Sequence, residues 1–124
     1  MIQGSEAFFH SLSAREYEPL LRRVNGTCQF EIGGTGEWLV RSMLGKLYII
    51  RTQPGTERQI STADCRFVCS EATFRALLKR STNVVTAYVQ GRVRLIGNLE
   101  LGLSFGRLIH LAHMKRLPHY MAAD

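Results

Sequence analysis

The sequence predicts an α+β fold in which one mainly antiparallel, five-stranded sheet is covered by helices on one face. Three observations support this fold class. Apolar residues recur with helical spacing near both ends of the chain and once in the middle. Five other short segments have the alternation or apolar content of strands. The order is a helix, three strands, a strand-helix unit, then a strand and a final helix, which is typical of a sheet covered by helices.

The first 24 residues predict two short helical segments. The first spans residues 5–12, with Ser5 as its capping residue. Its apolar stripe consists of Phe8, Phe9 and Leu12. The second segment begins at Pro19, a residue favoured in the first helical turn, and ends at Asn25-Gly26. The residues expected to face inward from it are Leu20, Leu21 and Val24.

Three strands follow, over residues 27–32, 37–43 and 47–52. The first alternates strictly, so that Cys28, Phe30 and Ile32 share one face and the polar residues, including Gln29, share the other. The turn after it is Gly-Gly-Thr-Gly, residues 33–36. These glycines join two strands, whereas a phosphate-binding loop joins a strand to a helix, so they indicate no dinucleotide site. A loop opens at Pro54-Gly55 after the third strand.

The second half of the chain predicts a fourth strand, a helix, a short turn or helix, and a fifth strand. The fourth strand covers residues 65–69, and Ser70 caps a helix that runs to about residue 80. The inner residues of that helix are Phe74, Leu77 and Leu78. A short helix or turn covers residues 83–90. The fifth strand, residues 92–96, points Arg92 and Arg94 outward and Val93 and Leu95 inward.

The last helix, from residue 98 to about residue 113, is apolar around most of its circumference. A surface helix has one apolar stripe, so this helix must be buried on several sides or line an apolar space. Gly102 and Gly106, four residues apart, leave one side without bulk. The segment is too short to span a membrane. We therefore expect an apolar cavity beside this helix.

The order of motifs in the second half resembles the sterol carrier protein type two family. Residues 63–70 read Ala-Asp-Cys-Arg-Phe-Val-Cys-Ser, and residues 87–98 read Ala-Tyr-Val-Gln-Gly-Arg-Val-Arg-Leu-Ile-Gly-Asn before the leucine-rich helix. Trp38 falls where the family often has a tryptophan strand. The resemblance covers roughly residues 25–112. It implies a five-stranded sheet with helices on one side and an apolar tunnel for sterols, acyl chains, phospholipids or isoprenoids, and it carries no catalytic residues.

The resemblance also divides the chain. We expect one lipid-carrier-like domain over residues 1–124, with an N-terminal helical segment (1–24), a family-like core (25–112) and a basic tail (113–124). The tail contains Lys115 and Arg116 and is not a peroxisomal address. The chain as a whole resembles stand-alone bacterial members of the family, which are carriers of other lipids or accessory proteins that hold polyprenyl intermediates in quinone biosynthesis.

Composition narrows the expected cellular compartment and the expected classes of binding partner. No secretory signal is visible at the N-terminus, and the three cysteines show no disulfide framework, so we expect a cytoplasmic protein. The net charge of +6 suits an anionic partner or ordinary solubility. Nucleic acid is disfavoured, because the aromatic residues fall at inner positions instead of alternating with the basic ones on one surface.

No motif for catalysis is present. The sequence has no nucleophile elbow, zinc-protease motif or phosphate loop, so we expect no enzyme, no cofactor and no catalytic residues. Apolar strand positions make Cys28, Cys65 and Cys69 inert core residues. His110 and His113 share a helix face, but without a fourth ligand at a recognisable spacing they do not define a metal site.

Two candidate surfaces remain. The residues expected to line a lipid pocket are Leu77, Leu78, Val89, Val93, Leu95, Leu101, Phe105, Leu108 and Ile109. The residues expected to dock transiently on an anionic membrane are Arg92, Arg94, Arg107, Lys115 and Arg116. The function predicted is the binding of a lipid-like molecule, which the protein carries or presents. Three alternatives stay open: an accessory protein that presents isoprenoids to a biosynthetic enzyme partner, a protein-interaction module using the same groove, and an enzyme with unrecognised chemistry.

Overall fold

The computed structural model describes residues 4–52 and 63–114, with side chains placed through residue 110. Within these ranges the helices are α1 (Ser5–Ser13), α2 (Glu71–Leu78), α3 (Val84–Val89) and α4 (Leu99–Met114), and a 3₁₀ turn covers Pro19–Leu21. The strands are β1 (Asn25–Gly33), β2 (Gly36–Met43), β3 (Lys46–Thr52), β4 (Cys65–Ser70) and β5 (Val93–Gly97). The five predicted strands and four of the predicted helices are therefore present, whereas the helical segment predicted to begin at Pro19 is only a 3₁₀ turn. The loop expected at Pro54-Gly55 lies outside them.

The five strands form one sheet in the order β3-β2-β1-β4-β5. β1 and β4 are parallel, and the other three neighbouring pairs are antiparallel. Their register aligns Phe30 of β1 with Trp38 of β2 and with Phe67 of β4. All three side chains are buried, and they begin an aromatic core on one face of the sheet. The predicted α+β class with a mainly antiparallel sheet is confirmed.

Helices cover that aromatic face. Phe9 of α1 stacks on Trp38 with ring centroids 4.5 Å apart, and it lies 5.1 Å from Phe30. Phe74 of α2 packs against both Phe8 and Phe9 at 5.5 and 5.7 Å. The N-terminal helix is therefore part of the core.

Three local predictions in the first half are wrong. Ser5 does not cap α1, because Gly4 occupies the capping position and Ser5 is buried inside the first turn. Leu20 does not face inward: the 3₁₀ turn is too short to keep a helical stripe, and this side chain is 42% exposed. Asn25-Gly26 begins β1 instead of ending a helix.

The polar face of β1 is not uniformly exposed. Gln29 was expected among its exposed polar residues but is fully buried. Its amide Nε2 donates a hydrogen bond of 2.8 Å to Oγ1 of the buried Thr52 on β3. A buried amide needs such a partner, because an unsatisfied polar group costs stability.

Glu71 joins three elements at one end of the sheet. Its carboxylate accepts hydrogen bonds from the backbone and side chain of Ser5, from Thr35 in the β1–β2 turn, and from Arg75 one turn later in α2. Burial by itself would raise the pKa of Glu71, but these hydrogen bonds outweigh it and lower the pKa below its ordinary value. The charged form is therefore the one that the fold stabilises.

Glu71→Gln is expected to lower the free energy of unfolding by about 1–2 kcal/mol at neutral pH, because a charge-assisted network becomes a neutral one. The folded-state pKa is lowered, so this stabilisation is present above the ordinary carboxyl pKa and is lost as the pH falls through the folded-state pKa. Urea unfolding of both proteins at neutral and acidic pH measures the difference. Exposed Glu16→Gln is the control, and a Glu71→Gln difference that does not change with pH would contradict the assignment.

Candidate functional site

Two motifs of the sequence fix the start of α4 against the sheet. The Asp64 carboxylate accepts hydrogen bonds from the backbone N–H and the hydroxyl of Thr27, which tie β1 to the start of β4. The Asp64 carbonyl accepts from the N–H of Asn98, and Asn98 Oδ1 accepts from the N–H of Leu101, at 3.0 Å each. Gly97 has a φ of +95°, and a Cβ there would lie 2.7 Å from the Asp64 carbonyl oxygen, so glycine is required. The Ala-Asp and Gly-Asn motifs therefore form one clamp.

The two glycines of α4 allow a close approach to its neighbours. A Cβ on Gly102 would lie 3.2 Å from a methyl group of Leu95, and one on Gly106 would lie 3.2 Å from a methyl group of Val84. Gly106 also faces the ring of Phe67. The glycine side of the helix thus packs on β5, α3 and β4 without room for larger residues.

Eight of the nine predicted pocket residues lie in or beside the core. Leu95 and Leu101 are half-buried and pack against the core, and the others are buried. The buried set is Leu77, Leu78, Val93, Phe105, Leu108 and Ile109. Val89 is the exception. It is 77% exposed on the outer side of α3, because its neighbours Val84 and Ala87 occupy the inner side of that helix. The exposure of Val89 therefore contradicts its predicted place in the lining of a lipid pocket.

The contact between Leu101 and Gly26 was not predicted from the sequence. A Cβ on Gly26 would lie 2.9 Å from Cδ1 of Leu101, so a larger residue at the start of β1 would displace that side chain. The two residues are 75 positions apart, and because Gly26 was predicted to end a helix, no sequence signal indicated this contact. Leu101 is half-buried and lies at the border of the layer of side chains between α4 and the sheet, which is called the half-open edge of that layer.

The surface grooves of the described residues include three of about 690, 690 and 550 Å³, and none of these three is lined by any of the nine predicted pocket residues. One lies on the face of the sheet opposite the described helices and includes Leu39, Tyr48 and Ile50. Between α4 and the sheet the described side chains pack closely. The apolar cavity at this place stays a prediction.

Three of the five predicted docking cations lie among the described residues, and they occupy two separate places. Arg92 and Arg94 are exposed and line one groove together with the glycine-rich β1–β2 turn. Arg92 also donates hydrogen bonds to Gln90 and Thr82, which hold its guanidinium beside the end of α3. Arg107 is exposed on the side of α4 away from Gly106. Lys115 and Arg116 lie outside the described residues.

The cysteines are reduced and buried. The strand register places Cys28 beside Cys65, a pairing across two strands that sequence spacing did not indicate. Burial raises the pKa of Cys28 well above its usual range, and Cys65 beside it contributes further. Burial, with a smaller contribution from the Glu71 charge, raises the pKa of Cys69 to about 12. Both thiols are therefore protonated and unreactive at neutral pH.

Metal and membrane-spanning features were also sought in residues 4–52 and 63–114. No group of three or more His, Cys, Asp or Glu side chains there could hold a metal ion. None of the helices in these ranges is long and apolar enough to cross a membrane. The side chain of His113, weighed above as a ligand with His110, is not among those described.

The fold and site define a class of small α+β domain in which a final, widely apolar helix is clamped over the aromatic face of a five-stranded sheet. The chain belongs to the SCP-2 sterol transfer family, whose model matches residues 6–110. The match includes α1 and the 3₁₀ turn, which the sequence resemblance had left outside the family-like core. Comparison with curated protein sequences gives no significant match.

Solved structures with the same fold include a palmitated protein, a ubiquinone synthesis protein and part of a sec-alkylsulfatase. Palmitated SCP2L2 from Aedes aegypti has a TM-score of 0.63 and 21% identity, with 86% of this chain and 95% of that chain covered. The UbiJ-SCP2 ubiquinone synthesis protein has a TM-score of 0.55 and 15% identity, covering 88% and 84%. The sec-alkylsulfatase Pisa1 from Pseudomonas sp. has a TM-score of 0.60 and 18% identity, covering 85% and 16%. This chain thus spans about one sixth of the sulfatase.

Proposed function

We propose that this protein binds one long-chain lipid between α4 and the sheet and carries or presents it without chemical change. The observation that carries the proposal is the distribution of apolar residues on α4. Phe105, Leu108 and Ile109 are buried along one side of the helix, and Leu103, which lies outside that stripe, is half-buried against the core. A helix that only closed a core would need one stripe. Family membership and the palmitated relative support an acyl chain as the occupant.

Partition from water is the proposed source of affinity. Each methylene group removed from water contributes about 0.8 kcal/mol, so a sixteen-carbon chain gains on the order of 10 kcal/mol before ordering costs. Gly102 and Gly106 bring α4 into contact with Leu95 and Phe67, so at these points a lipid would enter by displacing α4 from the sheet. The half-buried Leu101 and Leu95 are the places where the least packing would be lost.

Mass spectrometry of lipids extracted from the purified protein tests this proposal. A defined long-chain species at a constant ratio to protein is expected. A protein that comes without lipid and takes up no fluorescent fatty acid would contradict carriage and favour the alternative in which the same surface binds a partner's apolar helix.

A second function, presentation of an isoprenoid to a biosynthetic enzyme, is favoured by one specific observation. The UbiJ-SCP2 ubiquinone synthesis protein has this fold over most of its length. The same lipid extraction separates the two functions, since a polyprenyl species would indicate quinone biosynthesis and a fatty acid or phospholipid would indicate carriage. We place either function in the cytoplasm, as the sequence predicts.

Charge reversal of the tail, Lys115→Glu with Arg116→Glu, is expected to slow lipid transfer to anionic vesicles several-fold. Each cation near an anionic surface contributes about 1 kcal/mol. Fatty-acid binding in solution should be unchanged, because the proposed pocket is apolar. Transfer rates measured against the anionic lipid fraction provide the check. Coincident curves for the two proteins would exclude the tail from docking.

A further inference from the structure

The short helix α3 presents an exposed apolar surface. Its exposed residues Val85, Tyr88 and Val89 are 58%, 39% and 77% accessible, and their spacing of three and four positions places them on one side. Val84 and Ala87 occupy the buried side. The helix is held firmly, because Asn83 caps it through the Thr86 N–H and Gly91 ends it with a φ of +80°. These three side chains, the α3 surface, are therefore displayed by a defined structure.

All charged residues that flank α3 in the sequence are basic. Between Glu71 and Glu100 there is no acidic residue and there are five basic ones. They are Arg75, Lys79, Arg80, Arg92 and Arg94. Arg75 pairs with Glu71, whereas the exposed Lys79 and Arg80 lie in the connection between α2 and α3, and the exposed Arg92 lies between α3 and β5. An apolar patch containing a tyrosine and edged by cations matches the interface of an anionic bilayer.

We propose that the protein docks on anionic membranes through the α3 surface, with Val85 and Val89 entering the headgroup region and Lys79, Arg80 and Arg92 contacting lipid phosphates. The cations that flank α3 in the sequence favour an anionic bilayer over an uncharged protein partner, although Glu31 and Glu37 share the groove that Arg92 and Arg94 line. α3 meets α4 where Val84 contacts Gly106, so docking brings the bilayer beside the helix that covers the proposed lipid layer. Docking needs no cargo and is tested apart from the proposed function.

The apolar contribution is tested by co-sedimentation with vesicles of phosphatidylcholine containing increasing fractions of phosphatidylglycerol. The double variant Val85→Ser with Val89→Ser is expected to bind about fivefold more weakly, because two interfacial side chains are lost. The matched control is Met43→Ser with Ile50→Ser, which removes two exposed apolar residues from strands β2 and β3, far from α3 in the sheet order. This control is expected to bind like the unmodified protein.

The cationic contribution has its own matched pair. Lys79→Gln with Arg80→Gln is expected to weaken binding about tenfold, whereas Arg22→Gln with Arg23→Gln, an exposed pair with the same change in net charge, is expected to weaken it far less. If both double variants lost the same amount of vesicle binding, binding would depend only on net charge, and the proposal would be overturned. Unchanged binding by the α3 variants would overturn it too, as would a dimer of the unmodified protein that Val85→Ser with Val89→Ser converts to a monomer.

Discussion

Replacing Phe9 by alanine is expected to lower the free energy of unfolding by about 3–5 kcal/mol, which is a large part of the stability of a domain of this size. Phe9 is 1% exposed, and its ring contacts those of Phe8, Phe30, Trp38 and Phe74. Removing it leaves a cavity bounded by rigid aromatic side chains from α1, α2, β1 and β2, which cannot collapse without a further cost in free energy. Urea or guanidinium unfolding followed by tryptophan fluorescence and circular dichroism measures the change.

Leu20→Ala is the control for that experiment. The sequence pattern predicted that Leu20 faces inward, but its side chain is 42% exposed, so a change within about 0.5 kcal/mol is expected. If Phe9→Ala were as mild as Leu20→Ala, α1 would be an appendage and not a part of the core. The start of the family match at residue 6 agrees with a structural role for α1.

The sequence predicted the sheet well because its strands carry strong local signals. In β1 the alternation of Cys28, Phe30 and Ile32 with polar residues specifies both the strand and its buried face. Ser70 caps α2 as expected, since the capping residue and the first helical turn are adjacent in the chain. Such features depend on residues within a few positions of one another, so a periodicity argument captures them.

The site was predicted less well because it depends on contacts between distant residues. Val89 ends a mostly apolar segment in which Val84 and Ala87 are buried. Only the packing of α3 on α4 decides which side of that segment is exposed. The Asp64 clamp joins β1, β4 and α4 across 37 and 34 positions. Asp64 and Asn98 both lie in segments that carry the family resemblance, but only the structure shows the hydrogen bond that joins them.

Leu101→Trp is expected to weaken fatty-acid binding about tenfold or more. Leu101 is half-buried on α4 and packs against Gly26, at the edge where a lipid is proposed to enter. An indole ring there would occupy space equivalent to two or more methylene groups of the cargo, and each is worth about 0.8 kcal/mol. Because one side of Leu101 is open, the ring can be accommodated without the full cost of about 1–3 kcal/mol that overpacking a filled core carries.

Two variants on the same helix separate loss of binding from loss of folding. Leu99→Trp places the same ring on a residue that is 43% exposed, so both fatty-acid affinity and melting temperature should stay close to those of the unmodified protein. Phe105→Trp enlarges a fully buried side chain and should lower stability first. Titration with a fluorescent fatty acid and thermal unfolding are measured on the same preparations. If Leu101→Trp lost stability as Phe105→Trp does while retaining full fatty-acid affinity, the layer between α4 and the sheet would be ordinary core, and the lipid would have to bind elsewhere.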